Sequence, residues 1–350
     1  MKSYKGKACL CAAVCLLLSG ILTGCKSSNA KIEEGMQMAQ NLEYQEALAC
    51  FEAAEAQGED ARLIARGRGI AYMGLTDYGQ AIECFKEALS DSSGFVESMD
   101  YDLNYYMAAA YTKSGQYAEA EAVYDAILAM KSNEKDAYFL RGSIRLAQGS
   151  YENGKADLDK VLSMEPKNYD RLVQVYQVLE RYGYRSIGLE YLQSALDSGD
   201  KSITAYDRGR MYYYMGDYQK AALELEEAKN KGGAGCYLYL GKSYEASGEY
   251  NYAANVYNSY LAKDDQNAEM YNQLGLCEIA KKDYQKALEA FQAGMQIPNS
   301  GMIQVLSFNE IMTYEYLGEY QKASVLLENY LKSYPDDGAA QREMQFLSTR

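Results

Sequence analysis

Residues 268–298 read AEMYNQLGLCEIAKKDYQKALEAFQAGMQIP, and the spacing inside this stretch recurs along most of the chain. Tyr284 is followed by the small Ala287 three residues later and by Phe291 seven residues later, while Gly275 lies nine residues before it. A tyrosine with a small residue three positions later occurs at eight places: Tyr44, Tyr78, Tyr117, Tyr151, Tyr218, Tyr250, Tyr284 and Tyr320.

The distance between these tyrosines is nearly constant. Successive steps are 34, 39, 34, 67, 32, 34 and 36 residues, and 67 is close to two periods. A fixed period of about 34 residues with helical spacing is typical of helix–turn–helix units stacked on copies of themselves. Because one such unit cannot bury its apolar face alone, the stack as a whole forms the domain. The sequence therefore predicts an all-α chain.

Two further positions of the repeat predict how the helices pack. A small residue stands nine positions before the tyrosine at Gly35, Gly69, Ala108, Gly142, Gly209, Gly241 and Gly275. A large apolar residue stands seven positions after it at Phe51, Phe85, Tyr124, Leu158, Leu225, Tyr257, Phe291 and Leu327. Since glycine inside a helix costs about 0.5–1 kcal/mol relative to alanine, its recurrence indicates a close crossing of the two helices of each unit.

These positions resemble the tetratricopeptide repeat family. One unit lies near the family consensus at Tyr271, Gly275, Tyr284, Ala287, Phe291 and Pro298. The resemblance covers residues 28–337 in about nine units. It implies a right-handed superhelical solenoid of helix–turn–helix units, with 338–350 as a C-terminal capping helix. The fifth unit departs most, because Tyr176 replaces the small residue, Arg185 the turn tyrosine and Gly188 the alanine.

The first 25 residues follow a different pattern. A basic start with Lys2, Lys5 and Lys7 precedes the apolar stretch 8–21, which is short for a span of about 20 residues and fits a secretory signal. Leu22-Thr23-Gly24-Cys25 then resembles the lipobox of bacterial lipoproteins. That resemblance implies a signal peptide over 1–24, acylation of Cys25 and a polar tether over 25–31. The alternative is an ordinary signal peptide with an incidental cysteine.

Charge limits the partners of the chain. The formal net charge is −14, and removal of the three leader lysines lowers it to −17. A protein this acidic is repelled by nucleic acid and by anionic headgroups. We therefore expect no nucleic-acid partner and expect attachment to the extracytoplasmic side of the membrane through lipid on Cys25, since two acyl chains anchor stably.

The composition also argues against catalysis and metal binding. The chain has no histidine, so neither a Ser–His–Asp nor a Cys–His arrangement is available, and no CxxC pair occurs among the mature cysteines. We expect no enzyme activity, no metal and no cofactor. Cys50 and Cys84 share one register in successive units, which leaves a disulfide and two free thiols as alternatives.

In the family, partners usually contact the inner faces of the first helices, at positions twelve, eight and five before the turn tyrosine. Those positions hold Arg66, Tyr105, Phe139, Tyr206, Arg210, Tyr213, Lys242, Asn272, Phe308 and Met312. Tyrosine and arginine are favoured interface anchors, so Tyr206, Arg210, Tyr213 and Lys242 are predicted to bind a protein or peptide. For Tyr105, Phe139 and Phe308, packing between units is an equal alternative.

Two classes of function are consistent with these features of the sequence. The first is a membrane-anchored scaffold that binds a peptide segment or partner protein in its concave groove. The second is a structural or accessory lipoprotein that packs permanently in an envelope assembly or a secretion complex.

Overall fold

The computed structural model describes residues 29–91, 96–298 and 300–350. The regular elements in these ranges are nineteen α-helices, and none of them combines the length and the apolar run that a membrane span requires. The predicted signal peptide, Cys25 and the start of the tether lie outside the described residues. In chain order the helices are α1 Ala30–Gln40, α2 Tyr44–Ala56, α3 Ala61–Gly74, α4 Tyr78–Ser90, α5 Ser98–Lys113, α6 Tyr117–Met130, α7 Lys135–Ala147, α8 Tyr151–Met164, α9 Tyr169–Arg181, α10 Arg185–Asp197, α11 Ala205–Met215, α12 Tyr218–Ala228, α13 Ala234–Ala246, α14 Tyr250–Leu261, α15 Ala268–Ala280, α16 Tyr284–Met295, α17 Ile303–Tyr316, α18 Tyr320–Ser333 and α19 Gly338–Leu347.

Consecutive helices pair into hairpins, which confirms the predicted fold class. Each of the eight turn tyrosines is the first residue of the second helix of its hairpin, and Arg185 takes that place in the fifth. After the ninth hairpin, α19 buries Ala340 and Leu347 in one apolar cluster with Ile311, Tyr314 and residues of α18. α19 thus covers apolar side chains of the ninth hairpin.

The turn inside each hairpin has one conformation. The residue two positions before the second helix has a positive φ in all nine hairpins of the described ranges. Glycine fills this position at six of them: Gly115, Gly149, Gly183, Gly216, Gly248 and Gly318. Leu42, Thr76 and Lys282 fill the other three, with φ of 67°, 62° and 63°. A left-handed turn favours glycine because a Cβ atom would crowd the backbone, so these three residues are strained.

In the hairpins with a glycine at the repeated position of the first helix, that glycine packs against the second helix, as predicted. A Cβ atom added to Gly275 would lie 2.3 Å from Cε1 of Phe291, and one added to Gly241 would lie 2.2 Å from Cε1 of Tyr257. Phe291 and Tyr257 are fully buried. The ring of the second helix therefore occupies the space that a side chain on the first helix would need, which explains the recurrent glycine.

In the fifth hairpin the large residue lies on the first helix and the small residue on the second. Tyr176 on the first helix is buried, and Gly188 on the second helix lies against it, because an added Cβ would come within 2.9 Å of Cδ2 of the ring. The Tyr176 hydroxyl donates to Oε1 of Glu180 at 2.7 Å. The departure noted in the sequence is thus compensated within the hairpin.

The chain divides into two compact units, whose described parts are residues 29–91 with 96–188, and residues 189–298 with 300–350. In the first unit, ion pairs join successive hairpins. Arg62 pairs with Asp100, and Arg171 pairs with Asp136. In the second unit, Nδ2 of Asn309 donates to Oδ1 of Asn272 at 2.8 Å and links the eighth hairpin to the ninth.

The third and fourth hairpins share a larger ion network. Asp157, only 4% exposed, accepts Nη2 of Arg141 at 2.6 Å and Nη1 of Arg145 at 2.9 Å. Arg141 also donates to Asp125 and Arg145 to Glu121, both on α6. The hydrogen bond that Arg141 donates to Asp157 raises the pKa of Arg141 further above its usual range. Each arginine therefore holds carboxylates of two hairpins at once.

Candidate functional site

In the first unit, the predicted partner-binding residues are engaged in packing. Arg66 on α3 lies 5.8 Å from the ring centroid of Tyr106. Tyr105 on α5 packs against Tyr124 at 6.0 Å and donates its hydroxyl to Glu134, and burial raises its pKa above the usual range. These contacts support the packing alternative for Tyr105.

For Phe139, the sequence left partner contact and packing between units as equal alternatives, and the structure supports packing. The residue is 2% exposed beneath the guanidinium of Arg171, which lies 4.8 Å from its ring centroid. The reason is that Arg171 from the next hairpin, held by its pair with Asp136, covers the ring. Phe139 presents no surface to a partner.

Arg210 in the second unit also departs from the expectation. Its side chain donates from Nη2 to Oδ1 of Asp207 at 2.8 Å, its guanidinium lies 4.4 Å from the ring centroid of Tyr206, and the residue is 6% exposed. Asp207 is itself fixed, because it forms a capping box with Thr204 at the start of α11. Arg210 therefore stabilises the wall of the site and is not an exposed cationic anchor.

Four tyrosines of α11 and α13 form what we call the tyrosine cluster: Tyr206, Tyr213, Tyr214 and Tyr239. The Tyr239 ring lies 5.4 Å from Tyr213, 5.8 Å from Tyr214 and 6.4 Å from Tyr206, all edge to face. The hydroxyls of Tyr214 and Tyr239 share a hydrogen bond of 2.8 Å. All four residues remain partly exposed, so the cluster presents ring edges and faces on two adjacent hairpins.

The cluster depends on a close approach at Gly235. A Cβ atom at this position of α13 would lie 2.4 Å from the hydroxyl oxygen of Tyr206. The hydroxyl therefore rests on the backbone of the next hairpin. Two cluster members, Tyr214 and Tyr239, lie one residue away from the predicted register. The tyrosine-rich sequence around 212–214 and 237–239 is the signal that would have found them.

Lys242 and Glu245 lie beside the cluster on α13. Lys242 is partly exposed and makes no ion pair with any residue in the described ranges. Burial raises the pKa of Glu245, and the Tyr257 hydroxyl and then the positive charge of Lys242 oppose that rise. Oε1 of Glu245 is buried with the Tyr257 hydroxyl, and neither atom has another hydrogen-bond partner within the described part of the chain. Lys242 is thus a partly exposed cation with a carboxyl group next to it, and its contact with a partner stays a prediction.

The four cysteines of the described ranges are buried or half-buried thiols. Cys50 and Cys84 are free in the structure, as are Cys236 and Cys277. Burial raises the pKa of Cys84 and Cys236 to about 11 and that of Cys277 to about 12. A thiol with such a pKa carries almost no thiolate near neutral pH, and the thiolate is the reactive form. The described residues contain no group of three His, Cys, Asp or Glu side chains that would hold a metal ion.

Comparison with protein families gives three matches, each described as a tetratricopeptide repeat. One model matches residues 72–143, a second matches 38–95 and 238–299, and a third matches 135–168. Together they cover more than half of the chain and follow the hairpins described above. The chain is a tetratricopeptide repeat protein. As such, it is a scaffold for protein–protein interaction.

Curated relatives agree with this assignment at low identity. The TPR protein is 24% identical over 206 residues to RNA polymerase II-associated protein 3 of Xenopus tropicalis. The matched segment covers 59% of this chain and 28% of the frog protein. It is 27% identical over 249 residues to a TPR repeat-containing protein of Methanocaldococcus jannaschii, covering 70% of this chain and 40% of that protein. The chain thus spans less than half the length of these relatives.

Two solved structures are similar to this chain at low sequence identity. A tetratricopeptide repeat protein from Parabacteroides merdae is 14% identical, with a TM-score of 0.45, and the match covers 72% of this chain and 98% of that one. Yeast Tom70 is 14% identical, with a TM-score of 0.49, and the match covers 92% of this chain and 88% of the other.

Proposed function

We propose that this TPR protein is a lipoprotein, anchored on the extracytoplasmic side of a bacterial membrane, that binds a peptide segment of a partner protein on the inner face of residues 189–350. The observation that supports the binding role is the partly exposed tyrosine cluster, with Lys242 beside it, on two adjacent hairpins. Tyrosine supplies a large contact area at a low cost in side-chain entropy.

The tyrosine rings should contribute most of the binding free energy at this face. A tyrosine that a partner buries is a candidate hot spot worth about 2 kcal/mol or more. A rim lysine contributes mainly to the association rate and its dependence on salt. Since Arg210 is held by Asp207, we assign the main binding contribution to Tyr213 and its neighbours and a smaller one to Lys242.

The anchoring part of the proposal rests on the sequence alone. The basic start, the apolar stretch 8–21 and Leu22-Thr23-Gly24-Cys25 together favour a lipidated amino terminus at Cys25. Two acyl chains would hold the acidic protein on a membrane whose anionic headgroups repel it.

The second candidate, a structural lipoprotein packed permanently on one partner, would favour a continuous apolar face on the outer helices. Leu223 and Val325 are strongly exposed at one register of the second helices. The two hairpins between them carry Asn255 and Glu289 at that register, so no continuous apolar row forms there. This distribution favours the peptide-binding scaffold.

Crosslinking in membranes tests the binding role. Tyr213→Ala should reduce the recovery of the partner strongly and Lys242→Ala only mildly, while both variants keep the wild-type melting curve. Tyr252→Ala is the matched control, because Tyr252 is an exposed tyrosine on a second helix, α14. If Tyr213→Ala recovers as much partner as Tyr252→Ala does, the binding surface lies elsewhere.

Acyl labelling and membrane fractionation test the anchor. Wild type should carry the label and sediment with membranes, and Cys25→Ala should lose both properties. Equal retention of the two proteins without label on either would reject lipidation at Cys25.

A further inference from the structure

A small apolar contact holds α19 on the ninth hairpin. The buried residues of α19 are Ala340 and Leu347, which belong to one cluster with Ile311 of α17 and Leu327 of α18. Because one of the two is an alanine, α19 buries less apolar surface than α17 or α18 does. Elements with few buried apolar contacts open at a low cost in free energy. A change in local charge is therefore enough to release α19 from this cluster.

The two ends of α19 are fixed in different ways. At its start, the Asp337 side chain accepts two backbone N–H groups of the first turn and also the hydroxyl of Tyr330, at 2.6 Å. At its other end, Leu347 is buried and the guanidinium of Arg350 lies 5.5 Å from the ring centroid of Tyr320. Hydrogen bonds thus fix the start, whereas packing alone holds the end. A released α19 would pivot about its first turn.

A pair of carboxyl groups lies across the same interface. Glu315 on α17 and Glu343 on α19 are within hydrogen-bonding reach of each other. Oε1 of Glu315 is buried and accepts no hydrogen bond from an N–H or O–H group of the described ranges. Ionised carboxylates accept hydrogen bonds and donate none, so the two groups bond only when one of them carries a proton. The contact between α17 and α19 therefore depends on a shared proton.

The charges of the surrounding helices leave this pair uncompensated. Cations on α15 to α19 and their flanking turns contact other groups or solvent: Lys281 pairs with Glu278, Lys286 with Asp283 and Lys332 with Asn329, Lys322 lies over the Tyr314 ring and Arg350 over the Tyr320 ring, Arg342 lies beside Gly338, and Lys282 is exposed. The other carboxyl groups of these helices, none of which shifts the pKa of Glu315, are Glu269, Glu278, Glu289, Glu310, Glu319 and Glu328. Within the described part of the chain, Glu343 is the titratable group that acts on Glu315.

The pair holds its proton up to near-neutral pH. Burial, the hydrogen bond with Glu343 and the negative charge of Glu343 raise the pKa of Glu315 from 4.5 to about 7. When α19 leaves, Glu315 loses this neighbour, and its pKa returns towards the usual value. The docked state therefore binds the proton more tightly than the released state. Its advantage is complete below about pH 4.5 and is lost as the pH rises through about 7.

We propose that Glu315 and Glu343 form a pH-sensitive latch, which keeps α19 on the ninth hairpin while the pair shares a proton and releases α19 when both groups are ionised. Release uncovers apolar side chains that are buried in the cluster with α19, among them Ile311 and Leu327. The ninth hairpin would then present an apolar surface above neutral pH that it covers at lower pH. The latch does not involve the tyrosine cluster, so it is tested independently of the function proposed above.

Amide hydrogen exchange on the full chain tests the latch. Protection factors, corrected for the intrinsic exchange rate at each pH, report the opening of each helix separately. Those of α19 should fall about tenfold between roughly pH 6 and pH 8, whereas those of α16 should change less than about twofold. Equal protection of α19 at both pH values would overturn the proposal. A parallel fall in α16 would also overturn it, because the pair would then act on several hairpins and not on α19 alone.

Glutamine variants show whether this pair is responsible. Glu315→Gln and Glu343→Gln each replace the shared proton with a permanent amide N–H donor, so α19 should stay protected at about pH 8 in both. Glu328→Gln is the matched control, because Glu328 is an exposed glutamate of α18, and it should keep the tenfold fall of wild type. If α19 loses protection in either variant of the pair as it does in Glu328→Gln, the latch is rejected.

Discussion

Gly275→Ala tests the packing rule on which the whole array depends. In most helices this replacement stabilises a protein, because glycine costs about 0.5–1 kcal/mol relative to alanine. Here the new Cβ would lie 2.3, 2.6 and 2.7 Å from three atoms of the Phe291 ring, whereas ordinary contact begins at 3.4 Å. The ring is fully buried on α16 and has little room to move by the 1 Å or so that the methyl group needs.

The expected net effect is a loss of stability. Overpacking of a filled core costs about 1–3 kcal/mol, which exceeds the gain in helix propensity, so urea unfolding of Gly275→Ala should show a loss of roughly 1–2 kcal/mol. Gly275→Leu should lose more. The damage should spread to the neighbouring hairpins, because each repeat is stabilised by the repeats that it contacts.

Gly79→Ala is the matched control. Gly79 also lies in a helix, α4, but an added Cβ would have only Oδ1 of Asp77 near it, at 3.7 Å. This variant should be as stable as wild type or more so. If Gly275→Ala also gains stability, the register assigned to the glycines and aromatic residues is wrong. A Gly275→Ala/Phe291→Leu double variant that recovers part of the loss would show that the ring is the obstacle.

Three further predictions concern other features of the fold. Asp157→Asn should lower the free energy of unfolding in urea by about 3 kcal/mol, at the low end for a broken buried ion pair. The loss is limited because Arg141 still pairs with Asp125 and Arg145 with Glu121. A loss well below about 1 kcal/mol would contradict the role of the network. Thr76→Gly should stabilise the protein by about 1 kcal/mol by relieving its left-handed turn, and an unchanged melting temperature would show that the turn is not strained. Burial and the neighbouring Glu343 raise the pKa of Glu315 to about 7, so the native state holds this proton more tightly than the unfolded chain. Its contribution to stability should be present below about pH 4.5 and lost as the pH rises through 7; Glu315→Gln should flatten this part of the stability profile, and an unchanged profile would refute the assignment.

The local rules of the fold were predictable from the sequence because they repeat. The period marks where each second helix begins, and the Gly275–Phe291 pair follows from a glycine that recurs at one register. The left-handed turn residue two positions before the second helix was not predicted, although glycine at six of nine hairpins carried the signal. This signal was obscured in the other three hairpins, because the residues at the turn position do not indicate a positive φ. These residues are Leu42, Thr76 and Lys282.

The site was less predictable because it depends on contacts between different hairpins. A register locates Arg210 and Phe139 on the inner face, but it does not show that Asp207 binds the arginine or that Arg171 covers the phenylalanine. The spacing of Asp207 and Arg210 by three residues on one helix was the available signal for the first contact. The second contact involves residues 32 positions apart in neighbouring repeats, and nothing in the periodic pattern indicates it.

The contacts inside the hairpins repeat along the chain, whereas the contacts between hairpins differ from one junction to the next. Inside, seven of the nine hairpins of the described ranges place glycine or alanine on the first helix and phenylalanine, tyrosine or leucine on the second. Between them, each junction has its own chemistry, such as Arg62 with Asp100, Arg171 with Asp136 and Asn309 with Asn272. A rearranged gene that exchanged two repeats would keep every hairpin intact and yet lose these matches. The order of the hairpins therefore depends on the polar residues at the junctions, whereas the shared apolar pattern would allow a repeat to be added by duplication.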